Sequence, residues 1–166
     1  DARHIEIQVF GDGKGTVVYF GARECSIQRR HQKLLEETPP PRIPADIIDD
    51  LARKCCQALA QMQYASAGTL EFLYADGQFF FIEMNTRIQV EHPITESVFG
   101  IDLVKLQLQL AAGQQVPMVQ TLIKSNGHAI ECRINAEDEN FKPSPGSITR
   151  LRLPGGPGVR IDSHLY

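Results

Sequence analysis

Glu83, Asn85, Arg87, Gln89 and Glu91 occupy every second position of one short stretch. In an extended chain alternate side chains share a face, so two carboxylates, two amides and a guanidinium would all point one way. Carboxylates hold hard cations, a guanidinium grips a planar anion at two points, and a placed carboxylate can take a proton. Just upstream, Phe79-Phe80-Phe81-Ile82 is apolar on both faces and reads as a buried strand. A buried strand that runs into charged groups is costly unless they are paired or hold a ligand. Chemistry is expected at that junction.

Three further groups could take part. Glu71 lies in the apolar run Gly68–Leu73, one strand before Glu83. With a plain two-residue loop at Asp76-Gly77, Glu71 would face Ile82 and Glu83 would lie on the opposite face. A shared cation site therefore needs odd parity, as in a three-residue loop with a bulge; otherwise each acid caps or pairs separately. Gln28-Arg29-Arg30-His31-Gln32-Lys33 is rich in donors to phosphate, ribose or carboxylate. By itself such a run is more often a solvated basic face. Arg133 is flanked by Glu131 and Asn135, and with Ile130, Cys132 and Ile134 inward it reads as exposed.

The remaining histidines offer less. His92 precedes Pro93 and reads as a turn residue, while His128 and His164 read as structural. None has metal-ligand spacing. Gly155-Gly156-Pro157-Gly158 has no helix after it, so it is a turn rather than a phosphate loop.

The elements that must position these groups can be drawn from periodicity. Arg3 to Phe10 alternates, with Ile5, Ile7 and Val9 on one face and His4, Glu6 and Gln8 on the other. A glycine-rich turn leads to a second strand over Thr16 to Phe20, making a hairpin. Cys25 to Arg30 and Gln32 to Glu37 are strand or loop, closed by Pro39-Pro40-Pro41. Ala45 to Gln63 is predicted helical, from Ile47, Ile48, Leu51, Cys55, Leu59 and Met62. Strands follow over Gly68 to Tyr74 and Gln78 to Asn85. Asp102 caps a helix that Gly113 ends. His128 to Glu137 reads as a strand, and two more flank residues 154–158.

Composition bounds the function. The chain has 166 residues, 42% of them hydrophobic, enough for one domain plus part of another. A net charge of -3 argues against bulk attraction to nucleic acid. No apolar run approaches a membrane span, and no signal peptide is visible. Cys25, Cys55, Cys56 and Cys132 form no Cys-x-x-Cys pair, so buried reduced thiols are expected rather than zinc or disulfides. The start without Met, directly on a strand, and the stop within another suggest a piece of a larger protein.

Together these segments resemble the biotin carboxylase family of ATP-grasp enzymes over essentially the whole chain. The carriers are 3–9, 24–33, 67–72, 127–138 and above all Phe81-Ile-Glu-Met-Asn-Thr-Arg-Ile-Gln-Val-Glu-His-Pro93. The resemblance implies an α+β fold: an ATP-grasp C-terminal subdomain, an antiparallel sheet with flanking helices, over 1–115. A linker over 116–126 and a partial biotin carboxylase C-terminal domain over 127–166 would follow.

It also implies roles. Glu71 and Glu83 look like magnesium ligands, manganese being an alternative, with Asn85 assisting. His4, Gln28, His31 and Leu73 look like nucleotide contacts, and Lys33 a phosphate-side cation. Arg87, Gln89 and Val90 look like the bicarbonate pocket, Val90 through its backbone N–H. Glu91 looks like the base that deprotonates bicarbonate, and Arg133 the cation that stabilises the biotin enolate. The implied activity is ATP-dependent carboxylation of biotin on a carrier protein, the first half-reaction of acetyl-CoA carboxylase in fatty acid synthesis. Propionyl-CoA, methylcrotonyl-CoA and pyruvate carboxylases, or another ATP-grasp ligase, are the alternatives. Implied partners are the biotin carboxyl carrier protein, carboxyltransferase subunits and a second copy of the full-length chain, in the cytoplasm. No nucleic acid and no membrane are expected, and this segment alone is expected to be inactive.

Overall fold

The alternation over residues 3–10 builds the centre of the molecule. In the computed structural model, which describes residues 2–165, β1 (Arg3–Asp12) pairs on both sides. β2 (Val17–Arg29) and β4 (Ala65–Ala75) are its antiparallel neighbours. β3 (Gln32–Thr38), β5 (Gln78–Asn85) and β6 (Ala129–Cys132) complete a six-stranded antiparallel sheet in the order β5-β4-β1-β2-β3-β6.

The two faces of β1 have different partners. Ile5, Ile7 and Val9 pack with Ile48, Ala52, Cys55 and Leu59 of helix α1 (Ala45–Gln61), which are spaced three or four apart as one helical face requires. Pro44 precedes this helix, and Gln63, at φ 50°, ends it two residues earlier than periodicity predicts. The opposite face of β1 carries Glu6 and Gln8, yet both are fully buried. Toward the end of the strand that face turns apolar. There Phe10, Phe20 and Ala67 pack under Leu103, Leu106 and Leu110 of α3 (Leu103–Ala111). Asp102 caps α3 by accepting from the Lys105 N–H at 2.7 Å, as expected from its position. The polar centre of the sheet is thus enclosed by apolar packing on one side and one end.

Helix α2 (His92–Phe99) is absent from the sequence reading, which placed a turn at His92. Pro93 in its first turn and Gly100 at φ 62° after its end were the available signals. Phe79 to Ile82 also departs from the reading. β5 pairs with β4 alone, so it is an edge strand, and Phe80, Phe81 and Ile82 are exposed. Phe81 and Phe79 meet the Phe72 ring edge-on, at 5.6 and 6.1 Å between centroids, and Phe79 also lies 4.7 Å from the Tyr74 ring. The strand expected over 128–137 is confined to β6. Its inward side carries Glu131 and Arg133, the reverse of the expected facing, and Ile130, Cys132 and Ile134 are exposed.

The chain divides into two compact units, Asp1–Arg133 and Ile134–Tyr166. The second holds an isolated bridge between Glu137 and Pro143 and a turn in which Asp138 accepts from the Asn140 and Lys142 N–H groups. Among the described residues the strands expected around 154–158 do not form, and none pairs there. The segment 114–126 contains one 3₁₀ turn, Gln120–Leu122, and Gln120 bonds both backbone groups of Tyr19, at 2.8 and 3.0 Å. No described helix is long and apolar enough to cross a membrane.

Among the described glycines, Gly11 packs most tightly against a neighbouring backbone. A Cβ there would lie 2.2 Å from the Tyr64 carbonyl oxygen, which cannot swing aside. Gly11→Ala is expected to cost about 1–3 kcal/mol, read as a lowered denaturation midpoint; an unchanged midpoint would show that the backbone yields freely.

Candidate active site

Glu71 and Glu83 do share a site side, by a route different from the one expected. The loop at Asp76-Gly77 is the plain two-residue turn, with Ala75 opposite Gln78. Parity changes inside the strands instead: Phe72 pairs Phe81 but Glu71 pairs Glu83, leaving Ile82 as the extra residue of a bulge. The same rows continue across the sheet. Glu71 lies opposite Glu6 on β1, and Glu6 lies opposite Arg23 on β2. Four strands therefore present Glu83, Glu71, Glu6 and Arg23 in a line.

Asn85 sits between the outer two acids. Its Nδ2 is 2.6 Å from Glu71 Oε1 and 3.4 Å from Glu83 Oε1. An amide donor thus stands where a cation between two carboxylates would stand, and its oxygen becomes a further ligand if the amide turns over. His4, Glu6 and Glu71 also bring ligand atoms within 4.8 Å of one another. That group suits magnesium less well. Glu6 is already engaged by Arg23 (3.1 Å) and by Lys33, whereas the Glu83 side is open. Magnesium keeps much of its water and binds best through one or two carboxylates at an open edge.

Beyond Asn85 the chain leaves the sheet, because β5 ends there. Alternation then breaks down. Arg87 is exposed and turns to the Ile88 carbonyl at 3.2 Å, and Val90 is also exposed, whereas Gln89 and Glu91 are buried. The expected bicarbonate residues are therefore not all drawn together: Gln89 joins the network and Arg87 stands outside it. Gln89 Nε2 donates to Glu71 Oε1 at 2.8 Å. Glu91 is gripped at both oxygens, by Lys33 at 2.7 Å and by Arg133 at 2.8 Å.

Three of the four nucleotide candidates, His4, Gln28 and Leu73, gather beside Glu71. His4 and Leu73 are cross-strand partners, and Gln28 Nε2 lies 2.8 Å from His4 Nδ1. If Gln28 donates there, His4 carries its proton on Nε2, which faces Glu71 Oε2 at 2.7 Å. His31 lies in the β2–β3 turn at φ 64°, away from these contacts. Lys33 contacts Glu6, Glu91 and, at 3.5 Å, Glu71, so it links the metal-side and base-side acids.

Electrostatics follow from this packing. Burial pushes Glu91 up, but the Arg23 charge and Lys33 outweigh it and hold the carboxyl down at about 2. Burial likewise opposes ionisation of Glu71, and the His4 hydrogen bond with the Lys33 charge holds it below the usual range. Burial lowers Lys33, but Glu6 and Glu91 raise it above its ordinary value, so it stays charged.

Arg133 is the clearest correction to the sequence reading. It is half-buried, with Nε and Nη2 both on Glu36 Oε1 at 2.7 and 2.6 Å. Glu36 and Glu91 supply the counter-charges that let a guanidinium turn inward. Glu36 was not anticipated, nor were Glu6 and Arg23. Glu6 had a signal, since it shares the polar side of an alternating strand with His4. Arg23 had none, in Gly21-Ala22-Arg23-Glu24.

Glu36 and Glu131 are cross-strand partners, and one oxygen of each is buried without a hydrogen-bond partner among the described residues. Burial first, then the charges of Glu36 and Glu91, push Glu131 up to about 7. A carboxyl raised in the folded state favours folding below its unfolded value near 4.5, and this contribution is lost as pH rises to about 7. Glu131→Gln mimics the protonated form. It is expected to raise the melting temperature by about 2–4 °C at pH 8 and leave it nearly unchanged at pH 5. Equal shifts at both pH values would remove titration as the cause.

Known proteins resemble this chain along nearly its whole length. Residues 1–119 match the family model described as carbamoyl-phosphate synthase L chain, ATP binding domain, and residues 131–166 match the biotin carboxylase C-terminal domain. Biotin carboxylase of Haemophilus influenzae is 56% identical over 165 residues, 99% of this chain and 37% of the relative. The solved complex of Campylobacter jejuni biotin carboxylase with β,γ-ATP superposes with a TM-score of 0.94 at 48% identity, over 99% of this chain and 37% of that one. The biotin carboxylase domain dimer of Hydrogenobacter thermophilus 2-oxoglutarate carboxylase, solved with MgADP, ADP and bicarbonate, superposes with a TM-score of 0.90 at 48% identity. It covers 93% of this chain and 35% of that one. The chain thus spans little more than a third of the length of such relatives.

Proposed function

Because the chain belongs to the biotin carboxylase family of ATP-grasp proteins, we propose that the full-length protein carrying it uses ATP and bicarbonate to carboxylate biotin on a carrier protein. The observation that carries the reading is one continuous network. It runs from Asn85 and Glu71 through Gln89 and Lys33 to Glu91 and Arg133. Such a track suits a reaction in which a metal-held phosphate and a small anion must meet beside a base.

Each residue then has a task. Glu71 and Glu83, with Asn85, would hold magnesium, which offsets charge on the phosphates when bound. His4, Gln28, His31 and Leu73 serve the nucleotide. Gln89, Arg87 and the Val90 N–H bind bicarbonate, with Arg87 swinging in from its exposed position. Glu91 takes the bicarbonate proton as oxygen attacks the γ-phosphate. A carboxyl held at about 2 is ionised but weakly basic. Its basicity rises as Lys33 turns to phosphate and Arg133 to biotin, since both leave Glu91 oxygens. Carboxyphosphate then yields CO₂ and phosphate, phosphate takes the biotin proton, and Arg133 stabilises the negative charge that follows.

On this proposal residues 1–115 are the ATP-grasp subdomain, 116–126 a linker and 127–166 the start of the C-terminal domain. The acetyl-CoA carboxylase system, its carrier and carboxyltransferase partners, homodimerisation and a cytoplasmic location belong to the same proposal. So does inactivity of residues 1–166 alone. ADP release by the full-length protein that requires both bicarbonate and biotin is the expected result. The model matched by residues 1–119 is named for carbamoyl-phosphate synthase, so a carbamate-forming ligase is the second reading. ATP use with an amino-type acceptor and no response to biotin would favour it.

A further inference from the structure

Arg23 is the largest fully buried side chain described, and its guanidinium bonds five side chains. From β2 it reaches across β1. Nη1 donates to Gln8 Oε1 at 2.8 Å and Thr95 Oγ1 at 3.0 Å. Nη2 donates to Glu6 Oε2 at 3.1 Å, Gln89 Oε1 at 2.8 Å and, weakly, Thr69 Oγ1 at 3.4 Å. Only Glu6 among these partners is charged, and Glu6 is shared with Lys33. Burying a guanidinium for one shared ion pair brings little net stability. Its value lies in geometry, because five fixed donors join β1, β4, α2 and the segment that carries Gln89.

We infer that Arg23 is a positioning residue for the anion pocket, acting through Gln89. Arg23 only donates, and Glu71 in its ionised form only accepts. Gln89 bridges them, Oε1 on Arg23 and Nε2 on Glu71 at 2.8 Å, so its amide has one permitted orientation. Gln89 Nε2 has a second hydrogen, which on this inference serves the incoming oxyanion. Without Arg23 the amide can turn over, which sets its oxygen against the Glu71 carboxylate and withdraws the donor. Thr95 and Gln8 hold the far side of the guanidinium, so α2 braces the pocket through Arg23.

This inference rests on the reading above, in which Gln89 faces bicarbonate. In the full-length protein, Arg23→Lys keeps the charge and loses the fork. The expected result is a bicarbonate KM raised at least ~10-fold, the loss of one hydrogen bond to a charged group, with ATP KM within about 2-fold. In a Gln89→Ala background the same substitution should add nothing to bicarbonate KM. A purely structural Arg23 would lower kcat with the active fraction and leave both KM values alone, which overturns the inference. If Arg23→Lys does not fold, Thr95→Val decides. A rise of about 3-fold in bicarbonate KM supports the inference, and no change overturns it. If wild-type ADP release ignores bicarbonate, the reading of the site fails first, and the two failures are thereby told apart.

Discussion

Replacing Glu91 by Gln in the full-length protein should leave a folded chain that carboxylates biotin at least ~100-fold more slowly. The substitution keeps the shape and removes the one group placed to accept a proton between Lys33 and Arg133. General-base catalysis contributes roughly that much, and among the described residues no other carboxylate has the same two cations at its oxygens. Circular dichroism and the melting temperature would establish folding, and bicarbonate-dependent ADP release would measure the step. Near-normal turnover would reject Glu91 as the base. A pH arm gives an independent check. Glu91 is depressed to about 2 in the folded state, so its contribution is present above its unfolded value near 4.5 and is lost as pH falls toward 2. Glu91→Gln should therefore be less stable than wild type at pH 7 and flatter between about pH 4.5 and 2. A curve parallel to wild type would mean that this carboxylate does not titrate as its surroundings imply.

Glu71→Gln should be nearly as damaging. Glu71 accepts from Asn85 at 2.6 Å and Gln89 at 2.8 Å, and His4 Nε2 lies 2.7 Å from its other oxygen. An amide there turns one donor against these donors and leaves Glu83 as the single carboxylate for the cation. Metal stabilisation of phosphoryl charge is several kcal/mol, so the rate should fall at least ~100-fold. The magnesium concentration for half-maximal activity should rise at least ~10-fold. A lower rate with an unchanged magnesium requirement would move the cation elsewhere, toward the His4 and Glu6 side. The two variants separate the ends of the network: Glu71→Gln changes the metal requirement, and Glu91→Gln does not.

Much of the frame was legible because it rests on local periodicity. β1, the hairpin to β2, α1 and the Asp102 cap follow from spacing that holds whatever surrounds it. Helix α2 was missed because the residues leading into it, Gln89 to Glu91, read as a continuation of an alternating strand. The facing of β6 was misread for a related reason. Apolar Ile130 and Ile134 suggest an inward side, but Glu36 and Glu91 outbid them for the interior by offering Arg133 full charge compensation. β5 was taken as buried from its aromatic run, yet an edge position depends on which strands pair, and no run of residues encodes that alone.

The candidate residues themselves were set by the sequence: Glu71, Glu83, Asn85, Gln89, Glu91, Lys33 and Arg133 carry their chemistry in residue type and spacing. Their relations were set by tertiary structure. A bulge at Ile82, not the turn, brings Glu83 opposite Glu71. The end of β5 at Asn85 releases the chain, so that Gln89 and Glu91 turn inward while Arg87 stays out. Arg23, without any local signal, reaches across β1 to fix Gln89. Side-chain type is a local property and survives reading one residue at a time. Parity, strand order and the partner of a buried charge depend on segments far apart in the chain, and only packing decides them.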